Sequence, residues 1–127
     1  MSLDFFVMPA PGQSRRWGLE LDELDAAILR RWPDADVVQP RLPEQYFDFT
    51  VAEDGESFDF SFDPGGQCLV FAYQEPLPAL ARVVQWFLDT AGPDVPVTWY
   101  SNIDATERPL PAGVGVDRIL DELMVYF

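Results

Sequence analysis

The stretch FDFTVAEDGESFDFSFD, residues 47–63, places five phenylalanines on alternate positions around an Asp-Gly pair. Side chains alternate across a strand, so Phe47, Phe49 and Val51 share one side, and Asp48, Thr50 and Ala52 share the other. Beyond the break, Phe58, Phe60 and Phe62 face one way, and Ser57, Asp59, Ser61 and Asp63 face the opposite way. Asp54-Gly55 supplies the positive φ angles of a two-residue type I′ turn. That turn sets Glu53 against Glu56, Val51 against Phe58, Phe49 against Phe60 and Phe47 against Phe62. All six apolar groups then fall on one face, and a one-residue slip would scatter them.

The reading extends in both directions. After DPGG (Asp63 to Gly66), QCLVFAYQ runs from Gln67 to Gln74. Pairing Phe62 with Gln67 sets Phe60 beside Leu69 and Phe58 beside Phe71, so residues 46–74 form a three-stranded antiparallel meander. Its greasy face needs a cover, because a contiguous exposed apolar patch of that size invites aggregation. Three amphipathic segments supply one. The first carries Leu21, Leu24, Ile28 and Trp32, with Asp22 as N-cap and Pro33 as stop. The second carries Leu80, Val83, Val84 and Phe87, between Pro76/Pro78 and Gly92-Pro93. The third carries Val116, Ile119, Leu120 and Leu123, with Asp117, Arg118, Asp121 and Glu122 facing outward. Strand formers mark two more strands, Leu3 to Met8 and Val95 to Ser101, and a short extended piece at 35–38. The expected fold class is a single α+β domain over 1–127. Its mostly antiparallel single-layer sheet combines the meander 46–74 with strands near 3–8 and 95–101, packed by two to three helices. Residues 38–46 and 101–115 read as proline-rich loops.

The chain has 127 residues, 48% of them hydrophobic, which suffices for a self-supporting core. Twenty-two acids oppose eight bases, for a net charge of −14; every base is arginine, and histidine is absent. Such a surface repels nucleic acid and anionic membranes and attracts basic proteins or cations. Genome composition or salt adaptation would give the same balance. No apolar run is long enough for a membrane span, and the LDFFVMPAPG start lacks the positive charge of a secretory leader. A cytoplasmic location is expected.

The missing residue types narrow the chemistry. Without histidine there is no base for a serine or cysteine triad, and no histidine-built zinc site. Without lysine there is no Schiff base and no phosphate-binding P-loop. GVG at 113–115 lacks the third glycine of a dinucleotide loop and reads as the start of the third helix. Cys68, the one cysteine, sits in a strand, facing away from the aromatic core and under whatever covers the second face. Carboxylates are the remaining catalytic supply. Asp48 and Asp59 are diagonal neighbours on the outer sheet face, about 5–8 Å apart, near the spacing of a glycosidase pair. Glu53, Asp54 and Glu56 cluster at the hairpin tip, and Asp104 with Glu107 make a further pair. None matches a calcium loop, so no cofactor or metal is expected.

Protein recognition is the function that this equipment suits best. The expected role is a small acidic protein-binding module, of the bacterial immunity or inhibitor type, that masks a basic partner protein and has no enzymatic activity. The candidate partner-binding residues are Asp48, Glu53, Asp54, Glu56, Asp59, Trp86 and Tyr100. Trp86 flanks the stripe of the second helix, and since Trp99 and Tyr100 alternate sides, one of them leaves the core. Two alternatives differ in kind: a small carboxylate-dependent hydrolase, and a homodimeric regulatory or structural subunit.

Overall fold

The Asp-Gly hairpin forms in the expected register. In the computed structural model, which describes residues 3–12, 16–42, 44–104 and 106–126 (Tyr126 by its backbone alone), strand β3 (Phe47–Glu53) pairs with β4 (Glu56–Asp63) from Phe47↔Phe62 to Glu53↔Glu56. Asp54 and Gly55 both have positive φ, 53° and 79°. The chain is α+β: the described residues form three helices and an open seven-stranded antiparallel sheet of order β2-β3-β4-β5-β1-β6-β7. Its remaining strands are β1 (Asp4–Pro9), β2 (Asp36–Val38), β5 (Cys68–Ala72), β6 (Val97–Ser101) and β7 (Arg108–Leu110). The N-terminal strand β1 enters the middle of the sheet, between β5 and β6. That position buries Phe5 and Val7 completely.

One face of the sheet holds a file of aromatic rings. Phe49 stacks on Phe60 at 5.2 Å, Phe60 meets Phe71 at 5.3 Å, Phe71 meets Phe5 at 5.4 Å, and Phe5 meets Trp99 at 5.5 Å. Offset and tilted ring pairs at such distances contribute about 0.5–1.5 kcal/mol each beyond their burial. Helix α2 (Leu77–Ala91) lies on this file, with Phe87 against Phe49 and Phe62. The expected stripe of Leu80, Val83, Val84 and Phe87 is fully buried. Helix α1 (Leu21–Arg31) and helix α3 (Val116–Leu123) both pack against α2, and a 3-10 turn follows α3 at Met124–Tyr126. No helix among the described residues is long and apolar enough to cross a membrane.

Five details depart from the expectations. The β4–β5 pairing is Phe62↔Leu69 and Phe60↔Phe71, two residues from the expected register. The loop spans residues 64–67, with Gln67 left-handed at φ 55° and Asp63 Oδ1 accepting from the Gly65 amide at 3.1 Å. A two-residue shift preserves which side each residue faces, so the aromatic face survives intact. Asp22 is not the N-cap of α1. The Glu20 carbonyl already accepts from the Leu24 amide, which places Asp22 inside the first turn, where its carboxylate takes a bond from Gln39 at 3.2 Å. Glu122 faces inward, not outward, because Arg108 of β7 waits there as its partner. Strand β7 itself lies in the stretch expected to be loop; it is three residues long and contains Pro109. Among the described residues no helix layer covers Cys68, which is half-buried on the second face of the sheet.

The edges of the sheet are short. β2 and β7 have three residues each, the first bearing exposed Asp36 and the second Pro109, devices that discourage strand addition.

Candidate functional site

Strand alternation writes the open face row by row. One unbroken row crosses five strands as Asp48, Ser61, Val70, Phe6 and Tyr100, each opposite the next. The Phe6 and Tyr100 rings stack at 4.9 Å and 10°. A neighbouring row holds Asp36 opposite Thr50, Thr50 opposite Asp59, and Ala72 opposite Asp4. On the other side lie Asp63 opposite Cys68, and Met8 opposite Thr98. The centre is thus apolar and aromatic (Val70, Phe6, Tyr100, Met8), and its surround is acidic.

The polar residues on β3 and β4 are knitted across the strands. Ser61 Oγ donates to Asp48 Oδ1 at 2.7 Å, and Thr50 Oγ1 donates to Asp59 Oδ1 at 2.6 Å. Each aspartate is therefore held by a hydroxyl from the opposing strand, which explains the alternation of acids with Ser and Thr in the sequence. Beside Asp59, the Gln74 side chain substitutes for a missing stretch of ladder: its Oε1 accepts from the Asp59 amide at 2.9 Å, and its Nε2 donates to the Asp59 and Ala72 carbonyls. Because Ala72 is small, a depression of about 410 Å3 opens here, lined by Asp4, Asp59, Ser61, Val70, Ala72 and Gln74 among others.

Charge on the described strands of this face has one sign. Among the described strand residues, Asp4, Asp36, Asp48, Asp59 and Asp63 all alternate outward; the one base, Arg108, points to the helix side and meets Glu122 Oε2 at 2.5 Å. The Tyr100 hydroxyl titrates above its usual range, first through partial burial and then through the nearby Cys68 and Glu107. Burial pushes the Cys68 thiol up to about 11, partly offset by a backbone hydrogen bond from Val7, with Asp63 adding to the rise.

The sequence-derived candidates divide among three places. Asp48, Asp59 and Tyr100 share the open face. Glu53 and Glu56 alternate to the helix side of the hairpin tip, where Glu53 accepts from Arg31 at 3.0 and 3.2 Å. Asp54 pairs with Arg82 of α2. With Glu56 and Glu75 it borders a hollow of about 480 Å3 beside the start of α2. Trp86 is half-buried and packs edge-on against Trp32 at 4.8 Å, which makes it a seal between α2 and α1. Asp104 is occupied in its own turn: the Thr106 amide donates to its Oδ1 at 3.0 Å, and with the Thr106 hydroxyl it holds the carboxyl below the ordinary range. Reading the sequence missed Phe6, Met8 and Val70. Their signal was present, since each alternates with core residues, but that they converge depends on β1 lying between β5 and β6.

No group of three or more acidic, cysteine or histidine side chains among the described residues is placed to hold a metal ion. Comparison of the chain with protein-family models, with curated proteins and with solved structures found no match.

Proposed function

We propose that this chain is an acidic binding module that receives a basic partner protein on the open face of its sheet, and that it works by occupancy rather than catalysis. One observation carries the reading: a stacked, half-buried aromatic pair lies on a face whose charged residues, among the described strands, are all aspartates. Aromatic groups at the centre of a patch supply the anchor, and a polar rim steers the partner and sets specificity. The molecule's net charge of −14 extends the same attraction beyond contact range. Masking a basic surface, as inhibitor and immunity proteins do, is the role that fits this chemistry.

The test pairs capture with placement. The immobilised chain, a Phe6→Ser/Tyr100→Ser variant and an Asp54→Asn/Glu56→Gln hairpin-tip variant are exposed to lysate of the source organism at about 0.05 M and about 0.5 M salt, a range over which screening lengths fall severalfold. The expected result is one set of basic proteins, identified by mass spectrometry, retained by the parent and the tip variant, lost by the open-face variant, and released by salt. Equal retention by the open-face variant, indifference to salt, or no retained protein would overturn the proposal.

A further inference from the structure

Resting on that reading, we infer that the segment of the basic partner seated on the open face is an amphipathic helix. It lies roughly along the strands, with its apolar stripe over β5, β1 and β6 and a row of basic side chains over β4. The face is divided across its strands. Of its outward aspartates, Asp36 stands on β2, Asp48 on β3, and Asp59 and Asp63 on β4. The half-buried apolar side chains stand on the other half: Val70 on β5, Phe6 and Met8 on β1, and Tyr100 on β6. Asp4, at the end of β1, is tied by its amide to Asn102, and the seat makes no use of its carboxylate. Three adjacent strands measure about 10 Å across, the width of one helix. An extended partner segment is about half as wide. The sheet edges also discourage strand addition: β2 and β7 are three residues long, with Asp36 exposed on the first and Pro109 in the second. Because acids and apolar groups divide across the strands, a helix running along them presents one flank to each. A helix crossing them would lay its apolar stripe over the aspartates. The spacings agree: Asp59 and Asp63 are four residues apart on β4, about 13 Å, and helix positions i, i+4 and i+8 cover about 12 Å of one flank. The Thr50 hydroxyl engages one oxygen of Asp59, and the Gly65 amide one oxygen of Asp63. Both carboxylates are thereby oriented and keep lone pairs for a cation. The described strands carry no base on this face, so a cationic flank meets complementary charge. Seating a helix here repeats what α2 does on the opposite face.

Amide NMR of the full chain, titrated at about 0.05 M and about 0.5 M salt with three capped peptides of about 15 residues, tests the seat. The first carries leucines on one helical stripe, arginines along one flank and alanines elsewhere. The second scrambles the same residues, and the third replaces a central alanine outside the stripe with proline. Expected are saturable shifts on the outward residues of β4, β5, β1 and β6 with the striped peptide. The other two should bind about tenfold more weakly, because the scramble divides the stripe and proline breaks the helix. Asp59→Asn/Asp63→Asn keeps both local acceptors but removes the charges, and should weaken the striped peptide severalfold at low salt and little at high salt. Met8→Gln/Val70→Thr nearly keeps side-chain size, and should weaken it severalfold at both salts. Equal binding of the scrambled or proline peptide, shifts centred on the hairpin tip or the helices, no response to either double variant, or no binding would overturn the helix. Open-face capture from lysate by a chain that does not prefer the striped peptide removes the helix alone. Striped-peptide binding by a chain that retains no basic protein removes the docking function alone.

Discussion

Glu122 is the residue where the tertiary structure places the most demand on a single side chain. It is 2% exposed, accepts from Arg108 Nε at 2.5 Å, and pairs with Arg118 one helical turn earlier at 3.2 Å. A buried carboxylate is tolerable only with its partners in place, and here it ties α3 to β7. Replacing Glu122 with Ala should cost about 2 kcal/mol in urea unfolding, since both arginines keep access to water. Arg118→Ala, which removes only an exposed i,i+4 partner, should cost about 0.3–0.5 kcal/mol. Similar losses from both would show that the buried pair is not the anchor. Cys68 gives a pH-dependent prediction. With its pKa raised to about 11 from an ordinary value of 9.0, the thiolate fraction at pH 7 falls about 100-fold. Alkylation by iodoacetamide should be correspondingly slow and should climb until about pH 11. The sign for stability follows: the unfolded thiol ionises near pH 9 and the folded one near 11, so stability declines as pH rises across that window. Ordinary thiol reactivity at pH 7 would contradict the burial.

At the scale of elements, the β3–β4 hairpin was legible because two independent signals agree. The Asp54-Gly55 turn and the alternation of six apolar residues select one register, and the structure adopts it. Gly55 has φ 79° and nothing within 4 Å of where a Cβ would stand, so only backbone conformation opposes a side chain there. Gly55→Ala should therefore destabilise by about 1 kcal/mol, seen as a shift in urea midpoint without a change in slope; an unchanged midpoint would argue against the type I′ turn. Gly92 is constrained differently. Its φ of 178° suits any residue, but a Cβ would lie 2.8 Å from Val95 Cγ2, so contact rather than conformation requires glycine. The β4–β5 connection was misread by two residues because Asp63-Pro64-Gly65-Gly66 looks like a complete turn. The left-handed Gln67 and the bond from Gly65 to Asp63 make the loop one that ends only at Cys68. β7 was invisible for a related reason: three residues around a proline have no periodicity to detect, and they become a strand only because β6 offers an edge.

For the molecule as a whole, the charge imbalance sets the behaviour. Only four arginines, Arg31, Arg82, Arg108 and Arg118, form ion pairs that are resolved among the described residues, against a chain total of 22 acids. Mutual repulsion among the remaining carboxylates opposes compaction, and salt relieves it. Raising sodium chloride from about 0.01 M to about 1 M shortens the screening length from about 30 Å to about 3 Å. The urea midpoint should rise over that range, even as salt weakens capture of a basic partner. A flat or falling midpoint would mean that the acids are spaced too widely to repel. The opposite salt responses of folding and of docking separate the two effects in one protein.

The amino-acid order alone determined the local facts: where the helices and the longer strands lie, which side of each of those strands is greasy, that the hairpin turns at Asp54-Gly55, and that one of Trp99 and Tyr100 leaves the core. These follow from periodicity and from the φ angles a turn requires, which are properties of neighbouring residues. Tertiary structure decided what depends on partners far along the chain. It inserted β1 between β5 and β6, bringing Phe6 onto Tyr100 and Asp4 to the far side of Ala72 from Asp59. It gave Glu122 an arginine to face, and it separated the hairpin-tip acids from Asp48 and Asp59. Alternation assigns a residue to a side of its own strand; only the order of strands in the sheet determines which residues then stand together.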